Sequence, residues 1–110
     1  MFAFEIPGQR FSMPAGADIM RHRFVTVDES SNAVYATEFT PVVGVSMNQA
    51  KAGEVLEIAD GIVMVEVGSY IPAGNHVEPN PEGKAIAAEG RTYMVALTEG
   101  NAGELIAVKL

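Results

Sequence analysis

Val43-Gly44-Val45-Ser46-Met47-Asn48-Gln49-Ala50-Lys51-Ala52-Gly53-Glu54-Val55-Leu56-Glu57-Ile58 is echoed fifty positions later by Tyr93-Met94-Val95-Ala96-Leu97-Thr98-Glu99-Gly100-Asn101-Ala102-Gly103-Glu104-Leu105-Ile106-Ala107-Val108. The two stretches align without a gap. Val45 meets Val95, and Ala52-Gly53-Glu54 meets Ala102-Gly103-Glu104. Apolar partners fill the pattern: Met47/Leu97, Val55/Leu105, Leu56/Ile106 and Ile58/Val108. Four identities in this window exceed the roughly one expected from average residue usage. The echo decides between helix and strand. Ala52, Val55, Leu56 and Ala59 sit at helical spacing, but Gly53 inside the window costs about 1 kcal/mol relative to Ala in a helix. The second copy, Glu104–Leu110, alternates with period two and is rich in β-branched residues, so both copies are expected as strands entered from an Ala-Gly-Glu turn. Leu56 and Ile58 share the phase of Ile106 and Val108, which predicts one common core.

Working outward, Met13-Pro14-Ala15-Gly16 matches Ile71-Pro72-Ala73-Gly74 at an offset of 58, which implies eight extra residues in the first copy, around Arg21–Asp28. The chain then divides into an arm (1–11) and a single β-rich domain (12–110) holding pseudo-repeats at about 12–58 and 70–108, joined by a strand near 61–69. Further strands are expected over Phe24–Val27, Ala33–Thr37, Val42–Met47, Gly61–Val67, Lys84–Ala88 and Arg91–Thr98. Asp28–Asn32, Asn80–Gly83 and Glu89-Gly90 mark turns. Pro14, Gly16, Gly53, Pro72, Gly74 and Gly103 are the expected structural turn residues, with Pro fixing φ and Gly taking the left-handed site. Short strands at this spacing predict an all-β barrel or sandwich.

Composition narrows the function classes. A 110-residue chain is the size of one domain, and 48% hydrophobic residues suffice for a core. The absence of cysteine excludes disulfides, thiolate metal sites and a cysteine nucleophile. No apolar run approaches 18 residues, so no membrane span is expected, and the first residues lack the pattern of a signal peptide. The net charge of −7 disfavours direct nucleic-acid binding. Its distribution is uneven: residues 1–23 carry three arginines against two acids, while 24–110 carry four bases against twelve acids. His22 and His76 lack metal-site spacing, no phosphate loop or nucleophile elbow is present, and Glu54 and Glu57 would face opposite sides of a strand. No catalytic, metal or cofactor site is expected. The arm is the exception to this blandness. Phe2, Phe4 and Ile6 alternate with Ala3 and Glu5 before Pro7-Gly8. Such a stretch covers the domain's own core, or adds to a partner's sheet.

The order Pro-Ala-Gly, Val-x-Gly-Val-Ser-Met (42–47) and Ala-Gly-Glu-Val-Leu-Glu-Ile (52–58), repeated by Ile-Pro-Ala-Gly, Val-Ala-Leu and Ala-Gly-Glu-Leu-Ile-Ala-Val, resembles the small capsid decoration, or cement, proteins of tailed phages. The resemblance covers about residues 12–110. It implies a β-tulip or β-barrel-like (β-clip-like) domain without cofactor or catalytic residues. It further implies a homotrimer, made in the host cytoplasm, that binds the major capsid protein on the outer surface of the virion and braces the shell. By that analogy Phe2, Phe4, Ile6 and Arg10 of the arm, with Arg21 and Arg23, are the candidates for gripping the capsid or a neighbouring subunit. Two other readings stay open: a small β-clip-like module binding a sugar or other small ligand, and an accessory domain of an enzyme.

Overall fold

The computed structural model describes residues 3–110, and every regular element among them is a strand. The nine strands are β1 (Ile6–Pro14), β2 (Phe24–Val27), β3 (Ala33–Tyr35), β4 (Gly44–Ser46), β5 (Val55–Glu66), β6 (Val77–Pro79), β7 (Ala85–Ala87), β8 (Val95–Ala96) and β9 (Leu105–Lys109). The main sheet runs β3-β2-β4-β5-β9-β8, with β1 on the other side of β5, and β6-β7 form a second ladder. All ladders are antiparallel. The path does not close into a barrel through strand pairing among the described residues. Single bridges, His76 to Val95 and Val67 to Ala85, tie the small ladder to the large sheet.

Val43–Ile58 and its echo Tyr93–Val108 both form strands, β4 with the start of β5 and β8 with β9. Each Ala-Gly-Glu is the end of a tight turn closed from Glu54 N to Lys51 O (2.9 Å) and from Glu104 N to Asn101 O (3.0 Å). Gly53 and Gly103 sit at φ +88° and +87°, as the third position of such a turn requires. Each glutamate folds back, Glu54 Oε1 accepting from Lys51 N at 2.7 Å and Glu104 Oε1 from Asn101 N at 2.6 Å. The separate connecting strand expected at Gly61–Val67 is instead the second half of β5. Gly61, at φ +95°, lets the chain bend without leaving the sheet.

Upstream, the repeat lies in a different register from the one Pro-Ala-Gly suggested. Ile19 exchanges backbone hydrogen bonds with Ala50, and Ile71 does so with Gly100. Ala15 N bonds Glu54 O and Val67 N bonds Glu104 O, while Gly16 and Gly68 donate to the carbonyls of Ala33 and Ala85. Thus 15–36 is equivalent to 67–88, an offset of 52. The β2–β3 pairs Val25/Tyr35, Thr26/Val34 and Val27/Ala33 recur as Val77/Ala87, Glu78/Ile86 and Pro79/Ala85. The turns between them recur too. Asp28 Oδ1 accepts from the amides of Ser30 and Asn32, as Asn80 Oδ1 accepts from those of Glu82 and Lys84. Consequently Gly74 (φ +84°) is matched by His22 (φ +65°), each donating to the same carbonyl of its unit, Ala96 O and Ser46 O. Gly16 does not take the left-handed site. A Cβ there would lie 3.0 Å from Asn32 Cβ and Val34 Cγ1, so its lack of a side chain serves close packing. The residues 21–28 are therefore not an insertion. The copies differ in length between the matched Ala36 and Ala88 and the matched Val43 and Tyr93, where 37–42 faces only 89–92.

The core follows this register. Ala15, Ile19, Val25, Ala33, Leu56 and Ile58 form one buried cluster. Their equivalents Val67, Ile71, Val77, Ala85, Ile106 and Val108 belong to a second, enlarged by Phe24, Val45, Val63 and Val65. The common core expected for Leu56, Ile58, Ile106 and Val108 is thus divided between two clusters, the first within unit one and the second joining unit two to Phe24 and Val45 of unit one. Each fully buried Val, Leu or Ile contributes roughly 1.5–3 kcal/mol.

Candidate contact surface

β1 lies along β5 from Ile6/Ile62 to Pro14/Val55, with a register shift between Pro7 and Arg10. Pro7-Gly8 does not end the strand. It is absorbed as an irregularity, where the Asp60 carboxylate takes the Gln9 amide at 2.8 Å. The expected boundary at residue 11 falls inside this strand. Apart from half-buried Met13, all of β1 is exposed. Among the described residues its outer edge pairs with no strand, and Pro7 and Pro14 each remove a donor from the strand.

The apolar arm residues are on the surface. Phe4 is 41% exposed and Ile6 63%, and Phe11 is exposed too. Glu5 is anchored where its Oε1 accepts from Met64 N at 3.4 Å. Phe2 lies outside the described residues. Arg10 reaches Glu57 at 3.5 Å with both side chains about half exposed, a pair of little energetic weight. Arg21 is exposed beside exposed Met20, on the corner 19–22 that corresponds to Ile71-Pro72-Ala73-Gly74. Pro72 is exposed in that second corner.

Arg23 departs from the other candidates. It is 8% exposed and its guanidinium works inward. Nη2 meets Glu66 Oε1 at 3.5 Å, Nη1 donates to Glu82 O at 3.1 Å, and Cζ stands 5.9 Å from the Tyr35 ring centroid. Lys84 Nζ completes the cluster at 3.3 Å from Glu66 Oε2. This polar knot joins unit one, β5 and the β6–β7 turn, so Arg23 is an interior tie rather than a surface contact. Asn75 occupies the equivalent position in unit two, so the knot exists once. Beside it, His22 Nδ1 lies 3.2 Å from Met64 O. Burial, aided by the Arg21 charge, holds its imidazole below the usual range against the opposing pull of Met64 O, Glu5 and Glu66.

Sequence reasoning missed a second surface feature. The loop 37–42 and the loop 91–94 frame a cleft of about 350 Å³ with Glu78, Pro79 and Leu110, next to a hollow of about 200 Å³ that shares Thr37, Glu38 and Pro79. Tyr93, 99% exposed, and Phe39, 89%, stand at these openings. The unequal loop lengths were the signal for it, hidden by the wrong upstream register. Glu78 lies at the cleft with its carboxyl held above the usual range, first by desolvation and then by the charges of Glu38 and Glu89. Among the described residues no His, Asp or Glu cluster has the makings of a metal site.

No family model matches the chain, and no curated protein matches it. Among solved structures, the fold is similar to the N base of the head fiber gp8.5 of bacteriophage phi29. The TM-score is 0.78 at 18% sequence identity, over 93% of this chain and 92% of that one. At this identity the likeness establishes a shared fold.

Proposed function

We propose that this chain is a non-catalytic structural module of a tailed-phage head, seated on the outer surface of the shell as a decoration or cement protein. The observation that carries the reading is the likeness of nearly its whole length to the base of a phage head fiber. The open, apolar β1 agrees with it. Ile6 and Phe11 on the strand and Phe4 just before it are exposed, the strand's outer edge pairs with no described strand, and a neighbouring chain would cover both by strand addition. The major capsid protein or the adjacent subunit is the partner, and Arg10 and Arg21 flank the contact. The assembly is a homotrimer. Three modest contacts joined in one rigid particle bind far more tightly than one, and binding to the assembled shell alone stabilises that shell by mass action. The site is the virion surface, after synthesis in the host cytoplasm.

The experiment is attachment to purified heads that lack the protein. Saturable binding with a raised temperature of head disruption is the expected result. Absence of binding, or bound protein with unchanged disruption temperature, refutes the cement reading.

A further inference from the structure

We propose that the cleft between loops 37–42 and 91–94 docks an extended, lysine- or arginine-bearing segment of a partner protein. Three separate observations converge there. The first is asymmetry: the two units reproduce each other's turns and hydrogen bonds over most of their length, and the cleft is built on the one stretch where they differ in length. The second is apolar exposure. Tyr93 and Phe39, the two most exposed large hydrophobic side chains of the described residues, belong to these loops, and Pro41 and Pro79 line the same hollows. Aromatic and proline surfaces of this kind suit an extended chain, which is already ordered before it binds. The paired hollows, meeting at Glu38 and Pro79, fit a strip of chain better than a compact ligand.

The third observation selects the occupant by charge. Glu38, Glu78 and nearby Glu89 outnumber Arg91, and none of the four takes part in an ion pair among the described residues. A cation placed between these carboxylates relieves their mutual repulsion, and its alkyl stem or guanidinium plane covers an aromatic face. A saccharide is the competing occupant, since it also stacks on tyrosine. It would use hydroxyl partners, but the threonine hydroxyls of the cleft are already engaged within the chain. Thr40 Oγ1 accepts from Thr37 N, Thr37 Oγ1 from Phe39 N, and Thr92 Oγ1 donates to Val77 O. Carboxylates, Glu89 included, outnumber the other free polar groups, the Tyr93 hydroxyl and the Arg91 guanidinium, so the cationic segment is favoured.

The test does not depend on the phage-head reading. Isotope-labelled protein is titrated with an acetylated, amidated Pro-Lys-Pro-Arg-Pro peptide and with its uncharged twin carrying norleucine and citrulline. Saturable amide shifts confined to Phe39, Glu78, Tyr93 and Met94 are expected with the charged peptide, at least about tenfold weaker with the twin. The Glu38→Gln/Glu78→Gln double variant is expected to weaken binding about tenfold without lowering the melting temperature, and Tyr93→Ala about fivefold with the melting temperature unchanged. No saturable shift, equal binding of the twin, or equal response to a chito-oligosaccharide overturns the proposal.

Discussion

Replacing Gly53 and Gly103 by alanine, singly and together, probes the repeat at its most faithful point. The two glycines adopt φ +88° and +87°, and a Cβ added to either meets no atom within 4 Å. The cost is therefore conformational rather than steric. An L-residue in the left-handed region costs about 1–2 kcal/mol, and the stiffer unfolded chain returns about 0.4–1 kcal/mol. Each variant should lose about 1 kcal/mol, the melting temperature falling by about 4 °C. Because the turns belong to separate units with no shared partner, the double variant should lose the sum. Gly44→Ala supplies the contrast. Its Cβ would stand 2.5 Å from Ile58 Cγ2 and 2.7 Å from Ala59 O, inside a three-strand contact that cannot retreat. Overpacking of that severity costs about 3 kcal/mol. Urea unfolding followed by circular dichroism, with the denaturant slope unchanged, measures all four. Unequal losses at Gly53 and Gly103, or a Gly44→Ala loss no larger than theirs, would refute the reasoning.

Other perturbations test the knot, the arm and the two shifted groups. Arg23→Met should cost about 2 kcal/mol, less than the 3–5 kcal/mol typical of a fully buried pair. Glu66 keeps Lys84 and is a quarter exposed; a loss under 0.5 kcal/mol in denaturant titration would show the knot to be idle. The Phe4→Ser/Ile6→Ser variant should melt within about 3 °C of the parent yet lose attachment in the head-binding assay, and retained attachment would remove the arm from the contact. His22 has a folded pKa below its ordinary 6.5. Its neutral form is the folded one, so its contribution is whole above pH 6.5 and declines as pH falls through the lowered folded value. Urea midpoints from pH 7.5 to 5 should therefore fall more steeply for the parent than for His22→Asn. Glu78 has the opposite sign. Its pKa is raised above 4.5, so the ionised carboxylate weakens the fold at neutral pH and the penalty lifts as pH falls towards 4.5. Glu78→Gln should accordingly raise the urea midpoint at pH 7 and not at pH 4.

Much of the strand pattern was legible because its signals are local. Ala-Gly-Glu needs a glycine at its third turn position, and the alternation of Glu104–Leu110 needs only one buried face. The upstream register was not legible, and the reason is instructive. Pro-Ala-Gly offered three contiguous identities, while the true match spreads Gly16/Gly68, Ile19/Ile71, Val25/Val77, Ala33/Ala85 and Ala36/Ala88 over 21 positions. Backbone geometry is kept by hydrogen bonds that many side chains allow. His22 stands where Gly74 stands, and Ser31 (φ +64°) where Gly83 (φ +74°) stands. A glycine search passes over both. Arg23 was read as surface charge because nothing local announces that Glu66 and Lys84, more than forty residues away, will enclose it.

The duplication itself orders the candidate surfaces. Whatever both units possess must first serve the shared scaffold: the turns at Gly53 and Gly103, the caps at Asp28 and Asn80, the paired cores. Features present once are free of that constraint. Two stand out, the Arg23–Glu66–Lys84 knot and the longer loop 37–42 beside Tyr93; β1 is matched by the second half of β5, which holds the same register against β9, and β1 differs from it in its exposure. The knot is interior and fixes the two units against each other, so β1 and the cleft are carried on one rigid frame. They also differ in character, since β1 offers open backbone and aromatics flanked by arginine, and the cleft offers aromatics flanked by carboxylate. A partner that engaged both would need a strand edge and a basic segment. That division predicts independent losses: β1 substitutions should leave peptide binding at the cleft intact, and cleft substitutions should leave the β1 contact intact.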